Sequence, residues 1–552
     1  MIQKKLQFIQ KSYIDILFYV LFFAFCMYKS IKADFWYDEL SWTLNFMHQK
    51  SILQMLHELS TKIYNLPGYY IILYPFYQIS HNHIWLRLPS IIMTLIAIFY
   101  TQKLADKYYG RYCKLIIWLL FLFTPFLYFI TLQLRPYAFM IACSSFSFYM
   151  FYKKQEYSDK QNLIKYGIAL TLAAYSHWFG CILVASYGII DAYLFLRKKN
   201  NITFIIPYLI CFILFVPWAI LTFTNNQYNI SSYWGANANY FNVIKIIYNI
   251  AGSRLTFLLF MSSFLMLFIK KNLKNTQISP EHSAAFVILF ILFTVVTYST
   301  IQPSGSLMET RYFFVFIPQY LILTTSLIIE ITHRIRIKNS SNLRFLLIFS
   351  SFAILFYTIG DINNIFTNNI PRRFANYKKL IQFYNKEAVN KKVLVWFLEQ
   401  KFLDIYNLPD NINVVSFTTN DNYDATFTNT YSKDFPSLHK LNNEIIKTKE
   451  MSCKDGIKYI LDQKKISLHF NYKNGKNDIS LFDKNICDYD IIYIENKVTY
   501  SSILYSFLNM HFHVEQIIIN PSEDEHIFRL ERKKQPRSNL WYITKQDIFL
   551  KF

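Results

Sequence analysis

The chain contains no Walker-type phosphate loop, no GxGxxG, no HExxH and no CxxC. ATP-driven pumping, nicotinamide chemistry and zincin-type proteolysis therefore have no support, because each depends on one of those loops or ligand sets. Cysteine is sparse. There are 7 in 552 residues, and Cys26, Cys113, Cys143, Cys181 and Cys211 sit inside apolar runs. They read as small core residues and exclude a disulfide framework there. Only Cys453 and Cys487 lie in a polar stretch, where they could pair if it faces an oxidising space. Glycine (11) and proline (15) are few, and no internal repeat or inverted symmetry between halves is visible. Acids are scarce as well, 35 Asp and Glu against 57 Lys and Arg.

What is abundant is apolar and aromatic surface, 53% hydrophobic and 19% aromatic residues, with a formal net charge of +22. A length of 552 residues would suit several soluble domains, and the charge invites a nucleic-acid reading. The basic residues form no single stripe, however. They fall in short clumps between long apolar runs, the pattern of a polytopic membrane protein. The first 360 residues hold 30 basic and 12 acidic residues, and the remainder holds 27 and 23. The excess of positive charge belongs to the apolar part. The modest mean hydropathy of +0.19 reflects dilution by the polar last third.

Spanning segments are expected near 13–31, 84–102, 113–132, 136–152, 163–177, 179–197, 202–221, 253–270, 284–301, 312–331 and 343–360, about eleven helices. The N-terminal MIQKKLQFIQK and its apolar continuation lack a small-residue cleavage site, as an uncleaved signal-anchor does. With the N-terminus inside, 21 of the 30 basic residues before position 361 fall in inner segments. That orientation places the tail after 360 outside. Leu66–Ile79 is apolar but too short for a bilayer core of about 30 Å. It is expected as a helix in the outer interface, within a long external loop over 32–83. Residues 361–552 alternate strand-like strings with helical stretches around 435–450 and 500–511. The expected fold class is thus a polytopic α-helical membrane protein, residues 1–360, with a C-terminal extracytoplasmic α/β domain, residues 361–552.

Acids on the outer side of the membrane part are Asp34, Asp38, Glu39, Glu58 and Glu309. Asp38 and Glu39 follow the first span in ADFWYDELSW. One reading has Trp36 and Tyr37 anchoring at the interface while Asp38 caps an amphipathic helix. The other makes Asp38 a general base at the membrane surface. Arg135, followed by Pro136 and Tyr137, opens the fourth span in LQLRPYAF. Its guanidinium could snorkel to headgroups or grip a phosphate. His177 stands between two spans in AAYSHWFG, as a packing residue or a pocket residue. Glu309 and Arg311 precede the tenth span in METRYFFVFIPQ, where a surface ion pair is the simplest reading. Asp15 and Asp191 fall near the inner ends of spans and read as interfacial residues. All the outer-face groups suit a reaction on a lipid-linked phosphate.

The acidic pair in a long first loop, then RPYA, YSHWFG and RYFFVFIPQ in that order, resemble the GT-C glycosyltransferases. The nearest group is the bacterial relatives of protein O-mannosyltransferases and of lipid A aminoarabinose transferases. The resemblance covers roughly residues 10–335. It implies an integral-membrane glycosyltransferase of the bacterial inner membrane and cell envelope. The implied donor is a polyprenyl-phosphate sugar, the acceptor a lipid, glycan or protein, and nucleic acid plays no part. The resemblance makes Asp38 catalytic with Glu39 beside it. Arg135 and Arg311 go to the donor phosphate, and Tyr137, His177 and Glu309 line the substrate pocket. Relatives often carry an acid two residues before the arginine of RPYA, and here that residue is Gln133. A neutral amide is a poor metal ligand, so no cofactor is expected and the chemistry rests on Asp38 alone. A transporter or flippase without transferase chemistry is the rival from another class; it needs charged groups deep in several spans.

Overall fold

The computed structural model describes residues 2–32, 35, 39–62, 65–110, 112–122, 130–197, 201–225, 239–251, 254–269, 278–302 and 307–334, together with seven strands in the tail. The chain divides into two compact units, one comprising 1–33 and 42–371, the other 34–41 and 372–552.

The first unit is helical. Its helices are α1 (Ile2–Lys32), α2 (Ile52–Lys62), α3 (Gly68–Ile79), α4 (His83–Tyr109), α5 (Cys113–Leu122), α6 (Tyr137–Glu156), α7 (Lys160–Ser176), α8 (Trp178–Leu196), α9 (Ile205–Asn225), α10 (Tyr240–Ala251), α11 (Arg254–Ile269), α12 (Pro280–Ile301) and α13 (Ile317–Arg334). A 3-10 segment, Thr310–Phe316, leads into α13. Every segment expected to span before position 340 coincides wholly or in part with a helix, while 343–360 lies outside the described residues. Among the described residues, five stretches are long and apolar enough to cross a bilayer: His83–Tyr109, Trp178–Leu196, Ile202–Thr224, Pro280–Ile301 and Thr310–Thr332. The protein is an integral membrane protein.

These helices differ sharply in what covers them. Thr310–Thr332 is buried over 94% of its window and Ile202–Thr224 over only 17%. The former is the axis of the bundle, and the latter turns Phe212, Ile213 and Phe223 outward, as a lipid-facing helix does. Some polar groups inside the bundle bond one another across helices. Gln319 of α13 donates to Tyr187 of α8 at 2.8 Å, and Ser144 of α6 donates to Gln319 at 3.4 Å. In hydrocarbon such interhelical bonds fix helix register.

Local chemistry sets the helix ends. Asn82 accepts from the Ile84 amide at 2.8 Å and starts α4, and Asp159 accepts from the Asn162 amide at 2.8 Å and starts α7. The Leu66–Ile79 segment forms the 12-residue α3 with Pro75 inside it, below spanning length. Tyr69, Tyr70, Leu73 and Tyr77 are buried and Ile71 and Ile79 exposed, a one-sided burial. The amphipathic α10 was not expected from the sequence.

At the end of the bundle where α4 and α6 finish, charges are paired. Lys154 of α6 bonds Asp191 of α8, and Tyr208 of α9 donates to the same carboxylate at 2.6 Å. Both partners are buried. This corrects the interfacial reading of Asp191: the carboxylate is held inside the protein by a cation and a phenol. Glu281, at the first turn of α12, accepts from Tyr109 at 2.7 Å. Asp15 pairs with Lys114 at 3.0 Å while remaining partly exposed.

In the second unit, β1 (Val393–Phe397), β2 (Ile412–Thr419), β3 (Ile466–Asn471), β4 (Ile479–Ser480), β5 (Ile491–Glu495), β6 (Phe512–Asn520) and β7 (Glu525–Arg532) form one sheet. Its order is β4-β3-β2-β1-β5-β7-β6. The centre is parallel, β1 pairing with β2 and β5, and both flanks are antiparallel. The central strings VLVWF and IIYI are continuous apolar runs, the composition usual in parallel strands. The helical stretches expected at 435–450 and 500–511, and Cys453 and Cys487, lie outside the described residues.

Candidate active site at one end of the helix bundle

Four helix ends meet at the opposite end of the bundle: the start of α6, the end of α7, the start of α8 and the 3-10 entry to α13. Each carries a residue singled out by the sequence. Tyr137 is the first residue of α6, directly after Arg135-Pro136, and proline suits this position because its ring presets the entering backbone. His177 ends α7 and caps α8: its Nδ1 accepts from the Phe179 amide at 3.3 Å. Arg311 and Tyr312 lie in the 3-10 segment.

The α7–α8 turn is tight. A Cβ on Gly180 would lie 1.9 Å from the Ala173 carbonyl oxygen, so only glycine admits this approach. A Cβ on Gly68 would lie 2.7 Å from the Tyr175 carbonyl oxygen and 2.6 Å from the Phe139 ring, which lets α3 seat against the same turn. Glycine at 68 and 180 thus sets where His177 and α3 stand.

These groups converge on the Tyr137 ring. The guanidinium carbons of Arg135 and Arg311 lie 5.9 and 6.0 Å from its centroid, within cation–π range. His177 lies 6.1 Å from the Tyr137 ring and 5.1 Å from the Tyr312 ring. Phe179 stacks 5.5 Å from Tyr312 and closes the box. Arg135 is 7% exposed and Arg311 11%. Glu309 lies 3.8 Å from the Arg311 Nε and is 28% exposed, so this pair is half-sunk in the protein and differs from the open surface pair read from the sequence.

The site is electrically positive. Desolvation, followed by the charges of Arg135 and Arg311, pushes the His177 pKa down to about 3. The imidazole is neutral at ordinary pH, and with Nδ1 accepting, its proton resides on Nε2. Tyr70 of α3 stands in the same field. Burial lifts its phenol to about 12, and the Arg135 charge acts in the other direction. Asn65 donates to the Tyr70 hydroxyl at 2.6 Å, and that hydroxyl donates to the Trp42 carbonyl at 2.7 Å.

The structure therefore brings together Arg135, Tyr137, His177, Glu309 and Arg311. Asp38 lies outside the described residues, and Glu39 is buried in the second unit. Sequence reasoning missed Tyr70, Phe179 and Tyr312 as walls, although Phe179 and Tyr312 stand inside the motifs already quoted. Among the described residues no group of three or more His, Cys, Asp or Glu could hold a metal ion.

Residues 67–221 match the family model described as dolichyl-phosphate-mannose-protein mannosyltransferase. The chain is similar to the crystal structure of ArnT from Cupriavidus metallidurans bound to undecaprenyl phosphate, with a TM-score of 0.51 at 10% identity, covering 95% of this chain and 99% of that one. By fold, the chain is similar to that protein. The apo form of the same ArnT gives a TM-score of 0.44 at 10% identity, covering 84% and 87%. The arabinosyltransferase EmbB from Mycobacterium smegmatis gives 0.34 at 14% identity, covering 55% of this chain and 30% of that one. No curated protein matches the sequence. The family-model match spans α3 through most of α9 and so includes Arg135, Tyr137 and His177, whereas Arg311 lies beyond it.

Proposed function

We propose that this protein is an integral-membrane glycosyltransferase that moves a sugar from a polyprenyl-phosphate donor to a lipid, glycan or protein acceptor on the extracytoplasmic face. The observation that carries the reading is the buried Arg135 and the partly buried Arg311 on the Tyr137 ring, at a helix-bundle end that also holds a neutral His177. Two sunken arginines form a site for a phosphate at the membrane surface, and Arg can grip it bidentately. The similar ArnT structure holds undecaprenyl phosphate, which supports the same donor class here.

In the proposed reaction Asp38 takes the proton from the acceptor hydroxyl or amine, with Glu39 beside it. The acceptor attacks the anomeric carbon with inversion, the bond from that carbon to the phosphate oxygen breaks, and polyprenyl phosphate leaves. Charge growing on the phosphate is met by Arg135 and Arg311, which are held in place before the reaction starts. His177 donates a hydrogen bond from Nε2 and carries no charge of its own. An unperturbed Asp is already ionised near neutral pH, so a base at position 38 needs no tuning. Of the buried charges, Lys154 and Asp191 pair with each other at the far helix ends, and Arg87 donates to the carbonyls of His83 and Leu132.

The test is single-turnover transfer from a panel of glycosyl polyprenyl phosphates to envelope acceptors, with Asp38→Asn and Asp38→Ala beside Asp34→Asn. Retention of full activity in the Asp38 variants, at matched expression, removes Asp38 from the mechanism. Donor-dependent lipid movement without transfer supports the transporter reading.

A further inference from the structure

We infer that Gln133 is a sugar-recognition residue whose amide hydrogen-bonds a hydroxyl of the glycosyl group on the bound donor. This rests on the donor class proposed above and names the part of the donor that Gln133 reads.

The turn that carries Arg135 is buried throughout. Leu132, Leu134 and Gln133 are each no more than 1% exposed. Its backbone is held from the side by α4. Arg87 donates to the Leu132 carbonyl at 2.7 Å, Ser90 donates to the Gln133 carbonyl at 2.8 Å, and Tyr69 bonds Ser90 at 2.9 Å. The Gln133 amide nitrogen of the main chain donates to Ile130 at 3.1 Å. The main chain of Gln133 is thus fully occupied. Its side chain is not: neither Nε2 nor Oε1 has a hydrogen-bond partner among the described residues.

Leaving a buried polar group unmatched is costly, and an amide has two. A residue kept under that cost in a clamped turn, two positions from a site arginine, is poised for a ligand. The kind of ligand follows from the chemistry. The amide offers donors at Nε2 and an acceptor at Oε1. A phosphate only accepts, and would leave Oε1 stranded. A hydroxyl accepts and donates, so one hydroxyl, or two neighbouring ones, satisfies both atoms. The sugar supplies hydroxyls; the lipid phosphate does not. Sites of this type discriminate strongly, because the wrong ligand leaves their buried polar atoms unpaired.

The experiment compares wild type with Gln133→Met and Gln133→Glu, purified in detergent. The probes are a polyprenyl monophosphate and the same lipid carrying a neutral hexose, a pentose or an amino sugar. Binding is measured by calorimetry and folding by thermal unfolding without lipid. For Gln133→Met the affinity for polyprenyl monophosphate should stay within about twofold, and the affinity for the best glycosyl lipid should fall about tenfold or more. Its unliganded unfolding midpoint should equal or exceed wild type, since the variant removes an unmatched amide without emptying the site. Equal losses for both lipids would place the amide on the phosphate, and no loss would remove it from recognition. A lowered midpoint in both variants would make the amide structural. Each of these overturns the inference while wild-type binding leaves the donor class standing. If wild type binds no glycosyl lipid, the donor class fails and the inference with it.

Discussion

The Nε of Arg87 donates to the carbonyl oxygen of Leu132 at 2.7 Å, and its Nη1 donates to His83 at 3.1 Å in the same helix. A fully buried guanidinium thus ties the body of α4 to the turn that presents Gln133 and Arg135. Arg87→Leu removes charge-assisted bonds that contribute about 1.5–3 kcal/mol each. The unfolding midpoint in detergent should drop and the donor KM should rise together. Arg87→Lys keeps a cation but not the fork, and should recover part of the midpoint and less of the KM. An unchanged KM in Arg87→Leu would separate this clamp from the site.

His177 should make stability depend on pH in a specific direction. Its folded pKa is about 3, below an ordinary value of about 6.5, so the unfolded chain binds more protons between these values. The contribution is complete above about pH 6.5 and is lost progressively as pH falls toward 3. Each unit in that window costs about 1.4 kcal/mol from this group. His177→Phe should flatten the acid side of the curve of midpoint against pH. His177→Asn, which can still cap α8, should be more stable at pH 7 than His177→Ala by about 1 kcal/mol.

Gly180→Ala is expected to open the α7–α8 turn, because the added methyl would overlap the Ala173 carbonyl. Overpacking of this kind costs about 1–3 kcal/mol. The loss should appear as reduced folded yield in membranes and, in the protein recovered, a raised donor KM as His177 moves.

Arg135→Gln and Arg311→Gln should each lower single-turnover transfer by about 100- to 1000-fold, the effect of removing one preorganised donor from a developing anion. Glu309→Gln is predicted to change rate far less, since a half-exposed ion pair contributes at most about 1 kcal/mol. Stopped-flow measurement with saturating donor separates the two classes.

At the other end of the bundle, Lys154→Met removes the cation from the buried Asp191 carboxylate and should destabilise by about 3–5 kcal/mol. The double variant Lys154→Met, Asp191→Leu should recover most of the midpoint. Transfer kinetics at temperatures below unfolding should be unaffected, because the pair lies away from the arginines.

The helical part was legible because its signal is redundant: apolar runs of spanning length, basic clumps between them, and motifs that fall at the same helix ends. Arg135, His177 and Arg311 were legible for the same reason, each being a polar group beside a span. What the sequence did not disclose depends on contacts between distant residues. Asp191 meets Lys154 across two helices, so its own neighbours in sequence offered only an interfacial reading. The cap on α8 is a histidine, outside the usual capping residues. Arg87 sits in an apolar run whose composition says nothing of the turn it holds. Four strands of the tail, β1, β2, β5 and β6, were legible as short apolar strings, but β3, β4 and β7 were not, nor was the order, because β1 lies between β2 and β5 and pairing across a sheet is not local.

The helix at the axis of the bundle is also the last helix of the described membrane part to be synthesised. Membrane insertion proceeds from the N-terminus. Until Thr310–Thr332 enters, the earlier helices have nothing to pack against along the line that they will later enclose. Arg311 rides at the head of that segment. The proposed phosphate grip would therefore be finished by the same event that fills the centre of the bundle, and a nascent chain that stops short of it has one arginine in the site and no axis. Site completion reports the completed assembly of the bundle.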